Sequence, residues 1–154
     1  LTFKVVIASD HAGMRLKSSI VMRLRAEAMD TIDLGPYDAD VSVDYPDYAA
    51  KLADVMRQPN TKGILVCGSG IGMSIAINRY DWIRGALVSD ETSTRLSREH
   101  NDANVIIFGE RIIGELTALS CLDVFLRTPF LEGRHRKRTE KLSESMNLLT
   151  QQEK

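Results

Sequence analysis

The chain has 154 residues, 44% hydrophobic and 27% charged, a balance typical of one globular domain that buries its own core. The net charge of −1 excludes whole-molecule attraction to nucleic acid or to an anionic membrane, so any anion site must be local. Two cysteines form no disulfide framework and indicate a reducing compartment. We expect one cytoplasmic domain over 1–154, since neither a signal peptide nor a membrane-spanning apolar run is visible.

Short runs of β-branched residues alternate along the chain with longer amphipathic segments. The expected strands are 3–8, 31–34, 63–67, 84–88 and 104–108. The expected helices cover roughly 12–28, 47–57, 71–79, 90–100, 113–126 and 136–149. Strands that are apolar throughout are typical of a parallel sheet covered on both faces. The pattern therefore predicts an α/β fold, a Rossmann-like three-layer sandwich with a five-stranded parallel sheet and a C-terminal helix.

The residues that follow each strand matter most, because ligands of such sheets bind beyond the carboxyl ends of the strands. After the strands come Asp10 and His11, Gly35 and Pro36, the loop 68–72, Ser89 and Asp90, and the segment 109–111. Several of these residues are polar or glycine, which predicts a ligand site at this edge.

The segment CGSGIG at 67–72 carries the strongest chemical signal. Its glycines permit a positive φ and close approach of a ligand, and the following helix points unpaired N–H groups at that ligand. Such a loop can hold a phosphate or a developing oxyanion, and the helix N-terminus should stabilise a thiolate at Cys67. A plain strand-to-helix turn with a buried cysteine is the alternative.

Other loops that this segment could represent differ from it in spacing. A P-loop requires Gly-Lys-Ser/Thr after the glycines, which is absent here. A dinucleotide fingerprint requires G-x-G-x-x-G, whereas Met73 stands at its last position; Asp90 still leaves a nucleotide-binding module open. A cysteine phosphatase loop would place arginine at Met73, and a receiver domain would place aspartate at Cys67.

The three histidines, His11, His100 and His135, all stand beside charged or polar neighbours. Any one of them could be solvated surface. His100 is expected at a helix C-terminus, where the helix dipole favours a protonated imidazole and suits a general acid.

The run RHRKR at 134–138 stands at the start of the last helix, where the helix dipole disfavours cations. An anion bound among these side chains would explain the cluster, and a solvated basic patch is the alternative. Because no aromatic residues interleave and the net charge is −1, we expect no nucleic-acid partner.

Six segments together resemble the ribose-5-phosphate isomerase B and galactose-6-phosphate isomerase family. They are ASDHAG at 8–13, DYP at 44–46, CGSGIG at 67–72, SREHND at 97–102, FGER at 108–111 and GRH at 133–135. The resemblance implies strand order 2-1-3-4-5, a homodimer or tetramer, and no metal or organic cofactor. It also implies interconversion of ribose 5-phosphate and ribulose 5-phosphate through a cis-enediolate, in the pentose phosphate pathway. A hexose 6-phosphate substrate and a non-catalytic phosphosugar- or nucleotide-binding domain remain as alternatives.

The same resemblance implies roles for individual residues. Cys67 would take the C2 proton of the open-chain sugar, His100 would open the furanose ring, and Asp10 would align the sugar hydroxyls. The implied substrate-binding residues are His11, Tyr45, Gly68, Ser69, Gly70, Ile71, Gly72, Asn101, Arg111, Arg134 and Arg138. Some members carry glycine at the position of Cys67 and a glutamate base at the position of Met73, so this chain resembles the cysteine type.

Topology separates two of these residues from the others. The helix at about 90–100 runs back from the carboxyl edge of the sheet, which should leave His100 and Asn101 at the opposite edge from Cys67. We therefore expect a partner subunit to supply them, with the C-terminal helix in the dimer interface. Cys121, inside an apolar helical stretch, is expected to be a buried structural thiol.

Overall fold

The computed structural model describes residues 3–151, with side chains described through residue 143. The strands are β1 (Lys4–Ser9), β2 (Thr31–Asp33), β3 (Thr61–Cys67), β4 (Gly85–Leu87) and β5 (Val105–Gly109). The helices are α1 (Met14–Ala26), α2 (Tyr45–Val55), α3 (Ile71–Ile77), α4 (Glu91–Asn101), α5 (Glu115–Arg127) and α6 (Arg134–Gln151). A short 3-10 helix at His11–Gly13 precedes α1. Every expected strand and helix is present within a few residues of its expected bounds.

All five strands are parallel, and helices cover both faces of the sheet, so the predicted three-layer α/β class is confirmed. One core cluster lies against α1 and α5, and the other lies against α2 and α3. No helix within residues 3–151 combines the length and the apolar character needed to cross a membrane.

The predicted strand order 2-1-3-4-5 is wrong in its last two positions, because the sheet has the order β2-β1-β3-β5-β4. All five residues of β5 are buried, whereas the three residues of β4 are half-buried or exposed. A strand that is apolar along its whole length gains most from neighbours on both sides, so β5 takes the inner place and β4 the edge.

This order decides which loops meet at the carboxyl edge. Ser9 of β1 pairs with Val66 of β3, and Cys67 of β3 pairs with Gly109 of β5. The segment after β5 therefore lies beside the Cys67 loop, where the order 2-1-3-4-5 would have placed Ser89 and Asp90.

A buried ion pair attaches α1 to the chain that follows β2. Lys17 is 2% exposed, and its Nζ donates to Asp33 Oδ1 at 2.8 Å and to the Pro36 carbonyl at 2.7 Å. Asp33 Oδ1 also accepts the Gly35 N–H at 2.9 Å. Removal of the ammonium would leave a carboxylate and a carbonyl without their cation in a largely dry environment.

We expect Lys17→Met to lower the free energy of unfolding by about 3 kcal/mol, since a buried pair that loses one partner leaves the other charge uncompensated. Urea unfolding followed by circular dichroism measures this difference. As a control, Arg136→Met removes an exposed i,i+4 pair with Glu132 and should lower the free energy of unfolding far less, because water screens an exposed pair. Equal losses in the two variants would show that the Lys17 pair contributes no more than a surface pair.

Candidate active site

Cys67 is the last residue of β3 and is only 4% exposed. Its Sγ accepts a hydrogen bond from the backbone N–H of Gly70 at 3.1 Å. Gly70 has φ +78°, a left-handed conformation that glycine adopts without strain, and it precedes the first residue of α3. The turn thus folds back over the sulfur and fixes its position at the start of the loop.

Two glycines allow close contacts around this loop. A Cβ at Gly109 would overlap the carbonyl group of Ser69, so the loop rests directly on the end of β5. A Cβ at Gly72 would lie 2.8 Å from the Tyr45 ring, so that ring packs on the first turn of α3. Tyr45, which the family resemblance implies as a substrate-binding residue, therefore lies beside the loop.

Arg111 brings a positive charge to the same loop. Its backbone N–H donates to the Gly68 carbonyl at 2.9 Å, and its exposed guanidinium lies alongside Gly68. Glu110, which is not among the predicted site residues, accepts the Leu16 N–H through Oε2 at 2.9 Å and so joins this segment to α1.

Asp10 and His11 lie next to the loop at the end of β1. Asp10 is 8% exposed; its Oδ1 accepts the Gly13 N–H at 3.0 Å, and among the described residues Oδ2 has no hydrogen-bond donor. His11 accepts the Val43 N–H at Nδ1 at 3.1 Å, so a neutral ring carries its proton on Nε2 and can donate it to an anion. One carboxylate oxygen and one imidazole N–H are thus available at this edge.

A second group of predicted residues lies together elsewhere. His100, Asn101 and Arg138 line a cavity of about 290 Å³ between the end of α4 and the first turns of α6. Arg134 is the exposed first residue of α6 and is not among the residues that line this cavity.

His135 also belongs to this second group, although it is not among the substrate-binding residues that the family resemblance implies. Its ring stacks on His100 with the centroids 4.4 Å apart and the planes 11° from parallel. Burial, and then the nearby charges of His100, Arg134 and Arg138, lower the pKa of His135. In the sequence, the two arginines that flank His135 were the only sign that it belongs to a site. The stacking of its imidazole on that of His100 is visible only in the folded chain.

The two groups lie at opposite edges of the sheet. α4 begins after the carboxyl end of β4, and its eleven residues span roughly 16 Å. Asp102, the next residue, pairs with Arg84 at 2.9 Å, and Arg84 directly precedes the amino end of β4. His100 and Asn101 thus lie at the amino edge, as predicted, while Cys67 lies at the carboxyl edge.

Cys121 is fully buried in α5, as the sequence predicts, and burial raises the pKa of its thiol. In the part of the chain that the structure describes, no three His, Cys, Asp or Glu side chains are grouped closely enough to hold a metal ion.

The sequence matches the family model described as Ribose/Galactose Isomerase over residues 5–142. The probable ribose-5-phosphate isomerase B of Mycoplasma pneumoniae is 42% identical over 139 residues, which cover 90% of this chain and 91% of the relative. Ribose-5-phosphate isomerase B of Escherichia coli is 38% identical over 141 residues, covering 91% of this chain and 94% of the relative.

Solved structures show the same similarity. Ribose-5-phosphate isomerase B of Mycoplasma genitalium with bound ribulose-5-phosphate has a TM-score of 0.90 and 35% identity, covering 96% of this chain and 98% of that one. The Thermotoga maritima ribose 5-phosphate isomerase has a TM-score of 0.89 and 43% identity, covering 94% of this chain and 99% of that one. Because the family model matches nearly the whole chain, and because relatives are this similar over more than nine tenths of their length, the chain belongs to the ribose/galactose isomerase family.

Proposed function

We propose that this protein interconverts ribose 5-phosphate and ribulose 5-phosphate through a cis-enediolate, with Cys67 as the base. The observation that carries the proposal is the Cys67 thiol, fixed by the Gly70 N–H beside a glycine loop in a member of a sugar isomerase family. A thiolate so placed can move a proton between neighbouring carbons of an open-chain sugar. Relatives named ribose-5-phosphate isomerase B support the pentose phosphate as substrate, and one of them holds ribulose-5-phosphate.

The proton transfer uses groups at the carboxyl edge. Cys67 takes the C2 proton of the aldose while the aldehyde oxygen O1 becomes an oxyanion, and the thiol then returns the proton to C1. The 2-hydroxyl proton moves to O1 as the ketone forms. The backbone N–H groups of Gly68, Ser69 and Gly72 have no acceptor among the described residues, and we assign them to the developing oxyanion.

The remaining groups at this edge suit substrate positioning. The free Oδ2 of Asp10 can accept a sugar hydroxyl, and the Tyr45 ring limits one side of the space beside the loop. His11, through Nε2–H, and Arg111 offer donors for the phosphate.

We further propose that each active site is shared between two subunits of a homodimer. His100, as the acid that opens the furanose ring, and Asn101 lie too far from Cys67 within one chain, so a partner subunit must bring them. The same partner would bring Arg134 and Arg138, at the start of α6, to the phosphate. Ile71 and Ile75, 55% and 59% exposed one turn apart on α3, give an apolar face beside the loop that a partner subunit can cover.

We place the reaction in the cytoplasm and in the pentose phosphate pathway, and we assign it to a single domain. A hexose 6-phosphate is the second candidate substrate, because the matching family model covers galactose isomerases as well. The length of the sugar chain that fits depends on both subunits, so substrate assays have to decide it.

The first test is a direct comparison of substrates. We expect kcat/KM for ribose 5-phosphate to exceed that for allose 6-phosphate and galactose 6-phosphate by at least about tenfold, since a pocket shaped for a pentose excludes the longer chain. Coupled detection of the ketose product measures all three. A higher kcat/KM with either hexose phosphate would show that the substrate is a hexose phosphate and not a pentose phosphate. The proposed type of reaction, aldose–ketose isomerisation, would be unaffected.

Replacement of the base tests the mechanism. We expect Cys67→Ser to lower kcat by at least about 100-fold with KM nearly unchanged, because a serine hydroxyl is a poor base at neutral pH. Cys121→Ser is the matched control and should keep kcat near that of the wild type, because Cys121 is buried in α5. Near-normal kcat in Cys67→Ser would move the base elsewhere, with Asp10 as the first candidate.

Subunit complementation tests the shared site. Inactive Cys67→Ala and inactive His100→Ala chains are mixed under conditions that exchange subunits, and the mixed dimer is verified by mass spectrometry. Each mixed dimer holds one site with an intact Cys67 and an intact partner His100, so activity should return to at most about a quarter of wild type under random pairing. Verified mixed dimers without activity would mean that both residues act within one chain.

A further inference from the structure

A cavity of about 400 Å³ opens at the amino edge of the sheet, the edge opposite to Cys67. The start of β3, the residue before β4 and the end of α4 contribute to its wall. The polar and charged residues among its lining that matter here are Thr61, Lys62, Arg84, Arg98, Asp102 and Asn104. None of them has a role in the proposed isomerisation, and the volume is that of a site for a small metabolite.

The charges that line this cavity do not balance. Three cations, Lys62, Arg84 and Arg98, face one carboxylate, Asp102. Asp102 already forms an ion pair with each arginine: its Oδ1 accepts a hydrogen bond from Arg98 Nη1, and its Oδ2 accepts one from Arg84 Nη2, each at 2.9 Å. Two positive charges therefore remain uncompensated in a partly enclosed space, where screening by water is weaker than at an open surface.

Lys62 is the cation without an anionic partner. Among the described residues it has neither a hydrogen bond nor an ion pair; its Nζ lies 4.9 Å from the Phe125 ring centroid and 5.2 Å from that of Phe3. Burial, and then the charge of Arg98, lower the pKa of Lys62 to about 8, although Asp102 acts in the opposite direction. The aromatic faces thus stabilise the ammonium only in part.

Arg84 and Arg98 each have a guanidinium nitrogen whose N–H groups are not used in hydrogen bonds among the described residues. Arg84 uses Nε and Nη2 on Asp102, and Arg98 uses Nε on the Thr128 carbonyl and Nη1 on Asp102 and the Ala103 carbonyl. Arg84 Nη1 and Arg98 Nη2 have no acceptor among the described residues. An ammonium and two guanidinium N–H groups are the donor set that a phosphate group takes in proteins.

We propose that this cavity is a second anion site, separate from the proposed active site, that binds the phosphate group of a small metabolite through Lys62, Arg84 and Arg98. A bound phosphate compensates the two excess positive charges and gives Lys62 the anionic partner it lacks. Binding and protonation of Lys62 are therefore linked, because the anion favours the charged ammonium and raises the pKa of Lys62.

The linkage can be measured on the wild-type protein by trace acetylation of lysines with acetic anhydride, followed by peptide mass spectrometry. Only the free amine reacts. If phosphate raises the pKa of Lys62 by about one unit, acetylation of Lys62 at pH 7 should slow about tenfold relative to sodium chloride of equal ionic strength. Lys51 is the internal control: its Nζ lies 4.3 Å from the Tyr48 ring, but its cavity is lined by Asp44 and Asp47, so phosphate should not protect it.

A second measurement uses variants. Phosphate should raise the Tm of wild type and of Lys51→Gln more than the Tm of Lys62→Gln. Phosphate bound at the active site would raise the Tm of all three proteins equally, so the difference reports on the second site. The acetylation measurement is repeated with ribitol 5-phosphate, a sugar phosphate that has no carbonyl to react with lysine. Whichever of ribitol 5-phosphate and free phosphate slows acetylation of Lys62 more is the better model of the natural occupant. Equal acetylation rates of Lys62 in phosphate and chloride would overturn the proposal and leave Lys62 as a cation held by two aromatic rings.

Discussion

The contact between the Cys67 loop and the end of β5 is the constraint on which the proposed active site depends. Cys67 and Gly109 are paired across β3 and β5, and the Ser69 carbonyl occupies the space that a Cβ on Gly109 would need. The loop can come this close only because position 109 has no side chain. The same approach brings the guanidinium of Arg111 alongside Gly68. One glycine therefore positions both the proposed base, Cys67, and a candidate phosphate ligand.

Parallel strands impose the second constraint, which is directional. Every helix between parallel strands must return the chain to the amino edge, so a residue at the end of such a helix cannot reach a ligand at the carboxyl edge of its own sheet. His100 is at the end of α4, and its stacked partner His135 is on α6. Under the proposed mechanism, in which His100 acts at the Cys67 site, association of two chains would therefore be a requirement of catalysis, beyond any contribution to stability.

Although the net charge of the protein is only −1, positive charge is concentrated at two places along the amino edge of the sheet. One surrounds the stacked histidines, where Arg134 and Arg138 help to lower the pKa of His135 and thus favour its neutral form. The other lies in the cavity of Lys62, where one carboxylate faces three cations. Local excess charge of this kind attracts small anions without making the whole molecule bind nucleic acid.

The sequence alone determined the alternation of strands and helices, the loop that holds the Cys67 thiol and the place of His100 at a helix end. These follow from hydrophobic periodicity, glycine positions and chain direction, which act over short stretches of sequence. Only the tertiary structure decided that β5 lies between β3 and β4, because strand order results from competition for burial on both sides, which no single strand reveals. The same holds for the surroundings of His135 and Lys62, since these side chains meet residues that lie tens of positions away in the chain.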